Sequence, residues 1–392
     1  MARRETPAAG PGSRALIVDV IRSAVSISRV EVAERTGLTQ PSISNIVRDL
    51  IADGIVHETG STGSARGKPR QLLAITPATR FGVGFQLGPD TVTCVAIDLT
   101  GGVVGREVVP LGDSDLADQL AERFDDFLLD LDLPRDRIEG LAIVAPAAPP
   151  SSGDSPPEWA AARRGLAERL GIPVLVENDA AAAALGEFWT RRVSREQAFG
   201  SVYLSAGVGA GLVFGGALFR GTSFDAGELG HLSIMYDGRP CPCGNRGCVE
   251  RYASMTATVD AAREAGLAVD HKNVFSAYDA IAHAAVSGDP DAFAVVDQAA
   301  GYLSVAVTSM VNLLDLGRVV LTGPGMAIAG SIYARRLRAQ LAATAHARFR
   351  HGIVVELSAQ PRDAAGIGAA ALVVQASIAP GHTTGVSGAD ED

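Results

Sequence analysis

Three cysteines fall within eight residues, in Cys241-Pro242-Cys243-Gly244-Asn245-Arg246-Gly247-Cys248, and His231 precedes the first of them by ten. Three thiolates and one imidazole fill the tetrahedral shell of Zn2+ and leave no position for water or substrate, so such a site is structural and not hydrolytic. The competing reading is three reduced thiols in an ordinary turn. Cys94 stands alone in an apolar run and reads as a small buried side chain. Four cysteines are too few for a disulfide framework, and their clustering points to a metal site in a reducing compartment. The chain has no run of apolar residues long enough to span a bilayer, and Met1-Ala2-Arg3-Arg4-Glu5-Thr6-Pro7 has no apolar segment behind its charges. The expected location is the cytoplasm.

A second group of residues has a different chemistry. Gln40, Ser42, Ser44, Asn45 and Arg48 alternate with Ile43, Ile46, Val47 and Leu50. The apolar set makes one helical stripe, and the polar set points away from it. Short hydroxyls, amides and an arginine are the side chains that read base edges in a major groove. The preceding segment fits. Leu16, Ile17, Val20 and Ile21 form one apolar helical face. Ser28 and Glu31 have capping-box spacing, Gly37 suits a helix C-cap, and Thr39 with Pro41 starts the next helix. Three short helices over 14–53 with a glycine turn make a helix-turn-helix. Strands at Ile55–Thr59 and Gln71–Ile75 flank a loop whose end carries Arg66, Lys68 and Arg70. An extended cationic wing of this kind fits an A·T-rich minor groove. The alternative is a helical dimerisation module with a solvated charged loop.

Charge divides the chain at the same place. The whole protein has a formal net charge of −10, which argues against nucleic acid. Residues 1–80, however, hold 11 basic and 7 acidic side chains, a net of +4, and residues 81–392 carry −14. A basic head on an acidic body implies two tasks.

From Phe81 the pattern is strand and turn, then alternating helices and strands. Val92–Ile97 and Val103–Val109 flank the turn Asp98–Gly102. Leu116, Leu120, Phe124, Phe127 and Leu128 mark an amphipathic helix over Leu116–Leu131. Ile138–Val144, Val174–Val176, Val202–Leu204, Leu212–Phe214 and Val319–Thr322 are short apolar runs suited to buried strands, and Ala147–Pro157 is a Pro/Ser/Gly loop. The fold class expected is α/β, with two lobes.

The chain resembles the ROK family of repressors, open reading frames and sugar kinases. The likeness rests on Glu228-Leu229-Gly230-His231, the Cys-x-Cys-Gly-x-x-Gly-Cys-x-Glu run ending at Glu250, and Val176-Glu177-Asn178-Asp179-Ala180. It extends to Val311–Asp315, Val319–Gly325 and Gly366–Ala370. It implies an N-terminal winged helix-turn-helix at 14–78, then a two-lobed, actin-like (sugar kinase/Hsp70) domain at 81–378. Lobe one would be about 81–195 plus the C-terminal helix, and lobe two about 196–364. Residues 1–13 and 379–392 are expected to be disordered tails. By resemblance, Asp179 sits where the kinases have their base, Asn178 beside it would bond sugar hydroxyls, and Glu228, His231 and Glu250 would hold the ring. His231 would give one nitrogen to zinc and offer the other to the sugar.

Departures from the kinase pattern bear on function. The kinases' Asp-x-Gly-Gly-Thr is Gln86-Leu87-Gly88-Pro89-Asp90 here, which removes an acid and an N–H donor and adds a charge that repels phosphate. Their Gly-Thr-Gly-x-Gly is Ser205-Ala206-Gly207-Val208-Gly209. Phosphoryl transfer depends on placing phosphate and metal. The expectation is therefore no kinase activity and a vestigial base at Asp179. The Pro-Gly-x-Val expected after 138–144 reads Ala145-Pro146-Ala147-Ala148, so one wall of the sugar pocket is altered. The reading is a transcriptional regulator, in all expectation a repressor, that binds a double-stranded operator as a homodimer or homotetramer and responds to a sugar or sugar phosphate. The alternative is an active sugar kinase for a hexose or amino sugar carrying a DNA-binding head.

Overall fold

The computed structural model describes residues 11–62, 70–146, 157–191, 198–223, 225–269 and 273–378. Its first elements are α1 (Pro11–Ala24), β1 (Ile27–Ser28), α2 (Arg29–Thr36) and α3 (Gln40–Ala52). The local signals act as expected. Ser28 accepts from the Glu31 backbone N–H, and the Glu31 carboxylate accepts from the Ser28 N–H at 2.9 Å. This pair satisfies two free donors at the start of α2. The Ser28 hydroxyl also donates to the Glu31 carboxylate at 2.7 Å, and this bond first, then that from the Ser28 N–H, holds the Glu31 carboxyl below its ordinary range. Gly37 closes α2 in the left-handed conformation, and Thr39 caps α3. Val32, Leu38, Ile43, Val47 and Leu50 are buried with Ile17 and Ile21 of α1. Ile46 is only half-buried.

Strands β2 (Val56–Thr62) and β3 (Arg70–Ile75) form the antiparallel ribbon of the wing, with β1 added on the far side of β3. Both long strands exceed their expected lengths. The two-residue β1 was not legible in the sequence, because two residues set no period. Residues 11–13, assigned above to a disordered tail, are the first turn of α1. Residues 1–10 and 379–392 lie outside the described residues.

Helix α1 differs from the sequence reading in a second way. It is buried on nearly all sides, including Asp19 and Arg22. It then ends at Val25 with φ +66°. A β-branched side chain in that region is strained, at a cost of about 1–3 kcal/mol.

The chain continues with β4 (Phe81–Leu87), β5 (Thr91–Asp98), β6 (Val103–Pro110), α4 (Leu116–Asp130), β7 (Ile138–Ala145), α5 (Pro157–Leu170) and β8 (Val174–Asn178). Helix α6 (Asp179–Thr190) follows directly. Next come β9 (Phe199–Leu204), β10 (Val208–Phe214), β11 (Ala217–Leu218), α7 (Glu250–Ala253), α8 (Met255–Glu264), α9 (Val274–Val286) and α10 (Pro290–Leu314). The last are β12 (Arg318–Thr322), α11 (Met326–Thr344), β13 (Val354–Leu357) and α12 (Ala364–Ile378). The loop expected at Ala147–Pro157 lies almost wholly outside the described residues.

Two five-stranded sheets result, ordered β6-β5-β4-β7-β8 and β11-β10-β9-β12-β13. In each, the first three strands pair antiparallel and the remaining two join in parallel. The same plan is therefore used twice, although no sequence repeat announces it. The chain divides into two units. The described residues among Met1–Asp179, Phe188–Arg195 and Gly366–Asp392 form one, and those among Ala180–Glu187 and Glu196–Ala365 form the other.

The first unit's sheet packs Phe85 and Leu141 against Leu120, Phe124, Phe127 and Leu128 of α4. Leu116, expected on that face, is exposed. Cys94 is buried there, and burial pushes its thiol up to about 12. The second unit buries α10 among its helices. That helix is long and apolar enough to cross a membrane, but most of its apolar stretch is core.

Helix α12 returns to the first unit and lies against β4. A Cβ at Gly84 would sit 2.2 Å from the Gly366 carbonyl oxygen and 2.6 Å from the Ala370 nitrogen. Backbone cannot yield as a flexible side chain does. Gly84→Ala is therefore expected to destabilise the protein by about 1–3 kcal/mol, read as a lower urea midpoint; an unchanged midpoint would show that α12 is not held this closely.

Candidate metal centre, ligand contacts and nucleic-acid interface

The cysteine loop is built by short-range backbone bonds. The Cys241 N–H donates to Asn245 O, Gly244 N–H to Cys241 O, and Gly247 N–H to Arg239 O. Isolated bridges join Ser233 to Cys248 and Pro240 to Arg246. Gly247 has φ +71°, and a Cβ there would lie 1.7 Å from Met235 O, so only glycine fits the fold-back. His231 ends a single 3-10 turn, Leu229–His231, whose C-cap returns an N–H to Leu229.

This scaffold brings His231, Cys241, Cys243 and Cys248 together. One ligand atom from each lies within 4.8 Å of the others. Cys241 Sγ is 3.6 Å from His231 Nδ1, and Cys243 Sγ is 3.7 Å from Cys248 Sγ. A tetrahedral zinc with sulfur at about 2.3 Å places neighbouring sulfurs about 3.8 Å apart. These two separations suit such a metal, and the cluster as a whole could hold one. The thiols are unlike each other. The Asn245 N–H lowers the pKa of exposed Cys243, whereas burial pushes Cys248 up to about 12. A divalent cation bound there would supply the charge that holds the three as thiolates.

Glu228 and Glu250 flank this centre. Glu228 Oε2 is 3.8 Å from His231 Nε2, the ring nitrogen turned away from Cys241. That separation is an ion-pair distance and is longer than a hydrogen bond. Partial burial, with help from Asp225 and Glu250, raises the Glu228 pKa, and His231 opposes this. Glu250 opens α7 and accepts from the Val208 N–H at 3.0 Å. Gly207 admits it: a Cβ there would stand 2.5 Å from Glu250 Oε2. One oxygen of Glu250 is therefore engaged by the protein.

Asn178 and Asp179 are the last residue of β8 and the first of α6. Asp179 is buried and Asn178 half-buried. The sequence reading missed Glu177 beside them, which is buried and accepts from the Asn178 N–H at 3.0 Å. Its alternating place in β8 points it opposite to Asn178, the signal that could have marked it.

The two loops that differ from the kinase pattern are closed by internal bonds. Gln86 Oε1 accepts from the Gly366 N–H at 3.1 Å, in the first turn of α12. Gly88–Asp90 is a tight hairpin, with the Gly88 N–H donating to Thr91 O. In the other loop, the Ser205 N–H donates to Gly207 O and the Val208 N–H to Glu250. Two of these N–H donors, those of Gly366 and Val208, are met by side chains, and the other two by backbone carbonyls.

In the head, Gln40, Ser44, Asn45 and Arg48 are exposed on α3. Arg48 is 3.6 Å from Asp49 and 71% exposed, so it is available to another partner. Ser42 is half-buried, and its hydroxyl lies 2.9 Å from Thr39 Oγ1 at the helix cap. Arg70 is exposed at the start of β3. Arg66 and Lys68 lie outside the described residues.

Comparison with known proteins decides the family. The ROK family profile matches residues 82–376, and a winged helix-turn-helix DNA-binding profile matches 16–57. The chain belongs to the ROK family. Among ROK proteins it is 26% identical over 318 residues to the xylose repressor of Bacillus subtilis, covering 78% of this chain and 80% of that one. It is also 29% identical over 325 residues to a glucokinase of Halalkalibacterium halodurans, covering 76% of this chain and 96% of that one. A solved ROK family transcriptional regulator, a homolog of the E. coli MLC protein, superposes with a TM-score of 0.70 at 25% identity, covering 94% of this chain and 97% of the other. ROK proteins thus include repressors and kinases, and this one carries the DNA-binding head.

The metal centre generates a test. Cys243→Ser is expected to lower bound zinc from about one per chain to near zero and to lower Tm by about 10 °C. Zinc content by mass spectrometry and a thermal melt measure both; full occupancy in the variant would remove Cys243 from the ligand set.

Proposed function

We propose that this ROK protein is a cytoplasmic transcriptional repressor whose operator binding is relieved by a sugar or sugar-derived ligand. The observation that carries the reading is a combination on one chain. A helix-turn-helix exposes a polar face on α3, and in the attached domain Gln86, in place of the kinase acid, accepts from the Gly366 N–H while Glu250 accepts from the Val208 N–H of the Ser205–Gly209 loop. In this reading α3 enters the major groove through Gln40, Ser44, Asn45 and Arg48, with Ser42 at its capped end, while Arg66, Lys68 and Arg70 of the wing follow the phosphates or the minor groove. The operator is two-fold related, and the protein binds it as a homodimer or homotetramer. The head comprises 14–78 and the ROK domain 81–378.

Zn2+ is bound by His231, Cys241, Cys243 and Cys248 and fixes the loop that presents Glu228 and Glu250. Asn178, Asp179, Glu228, His231 and Glu250 contact the ligand. Neutral hydroxyls suit such a set, because hydrogen bonds to ionised acceptors are the stronger ones. The reading holds the protein not to be a kinase, since a base without placed phosphate and Mg2+ does no chemistry.

Three measurements bear on it. Incubation with ATP and a panel of hexoses, pentoses and amino sugars is expected to give no phosphorylated product; turnover of about 1–100 per second would establish the kinase reading instead. Arg48→Ala is expected to weaken binding to genomic fragments selected by the wild-type protein. If it contacts phosphate, the slope of log K against log salt falls by about one; unchanged affinity and slope would remove it from the interface. Glu228→Ala is expected to leave operator binding intact and to abolish release by sugar, read by fluorescence anisotropy; normal release would take Glu228 out of the ligand site.

A further inference from the structure

Helix α1 buries two charged side chains, Asp19 at 4% and Arg22 at 3% exposure. A winged helix standing alone has no use for a buried guanidinium, which is costly to remove from water unless it is well bonded. Arg22 is held from the body. Its Nη1 donates to the Trp189 carbonyl at 3.0 Å, and its guanidinium lies 4.5 Å from the Trp189 ring centroid and 5.4 Å from that of Phe188. Asp19 lies 3.7 Å from its Nε. Trp189 and Phe188 are themselves fully buried.

The position of that carbonyl is informative. Trp189 lies in the last turn of α6, where carbonyls have no partner within the helix and the helix dipole is negative. Arg22 therefore closes the C-terminal end of α6. The N-terminal end is Asp179, next to Asn178. Twelve residues of continuous helix, about 18 Å, link the two ends. On the head side, α1 shares its core residues with α2 and α3, and it runs into β1 through the strained Val25.

We propose that the contact of Arg22 with the C-terminal end of α6 is the joint through which ligand at the Asn178–Asp179 end reaches the DNA-binding head. This rests on the ligand-responsive reading above. A helix transmits displacement along its axis, and a packed interior admits discrete arrangements and not graded ones. If ligand shifts α6, the Trp189 carbonyl moves with it. Arg22 must then carry α1 along, or lose its acceptor while still buried. The strained link at Val25 is where α1 and the rest of the head can change their relative setting.

The test uses the full chain, genomic DNA fragments selected by the wild-type protein, and D-xylose, D-glucose, N-acetyl-D-glucosamine and glucose 6-phosphate as probes. The readout is the ratio of operator affinities without and with saturating sugar, because a merely structural role lowers Tm without changing this ratio. Arg22→Lys keeps the charge but loses the planar fork and the stacking. Arg22→Met keeps the length alone. Both are expected to bring the ratio down about tenfold or to one, with sugar affinity by calorimetry retained. A ratio within about twofold of wild type in Arg22→Lys, with wild type responding, overturns the joint and leaves the ligand-responsive reading standing. If Arg22→Met does not fold, Arg22→Lys and Trp189→Phe decide. A wild-type ratio of one with every probe sinks the ligand-responsive reading, and the joint falls with it.

Discussion

Convergence of four side chains on one point is the constraint from which the functional face of the second unit follows. The segment from Glu228 to Glu250 contributes few residues to the apolar core and would have little reason to hold one conformation by burial alone. Three sulfurs and an imidazole within 4.8 Å of one another, a set that could share one metal ion, would supply that reason. With the loop fixed, His231 turns its second nitrogen to Glu228, and Glu250 starts a helix with its carboxylate against Val208. The Cys3His cluster and the carboxylates of Glu228 and Glu250 therefore belong to one short segment, so a shift of the cluster would carry the two carboxylates with it.

The Glu250 carboxylate bears on the loop that stands where the ROK kinases have a phosphate loop. A phosphate-binding loop works because its N–H groups are aimed and unsatisfied until the nucleotide arrives. Here Glu250 satisfies one of them, and at the other loop position Gln86 ties down the start of α12.

Much of this was legible in the sequence, for physical reasons that differ by region. The capping box at Ser28 and Glu31, the cap at Thr39 and the cysteine cluster are local, so spacing alone specified them. Most strands of both sheets were found as apolar runs, but the short β11 and β13 were not, nor was the pairing, because pairing is set between distant segments. That the two sheets repeat one plan is invisible in the residues for the same reason. Arg22 was missed because a lone arginine on an apolar helix reads as solvated; only its neighbours Phe188 and Trp189, far along the chain, reveal its burial. Glu177 was hidden by the more conspicuous Asn178 and Asp179. Leu116 shows the opposite error: helical spacing put it on the packed face, yet at the helix end there is nothing above it.

The return of α12 to β4 has a consequence for how the protein comes into being. The Gln86–Gly366 bond joins positions 280 residues apart, and the helix that covers Gly84 is made after the entire second unit. Domains generally fold as they leave the ribosome, N-terminal parts first, and contacts between distant segments form late. Here the sheet of the first unit must wait with an uncovered strand while the second unit is synthesised and folds. The unit bearing the DNA-binding head is thus the first begun and the last finished. A nascent or prematurely terminated chain that lacks α12 would leave β4 uncovered along Gly82 and Gly84, and with it the unit to which the N-terminal helices belong.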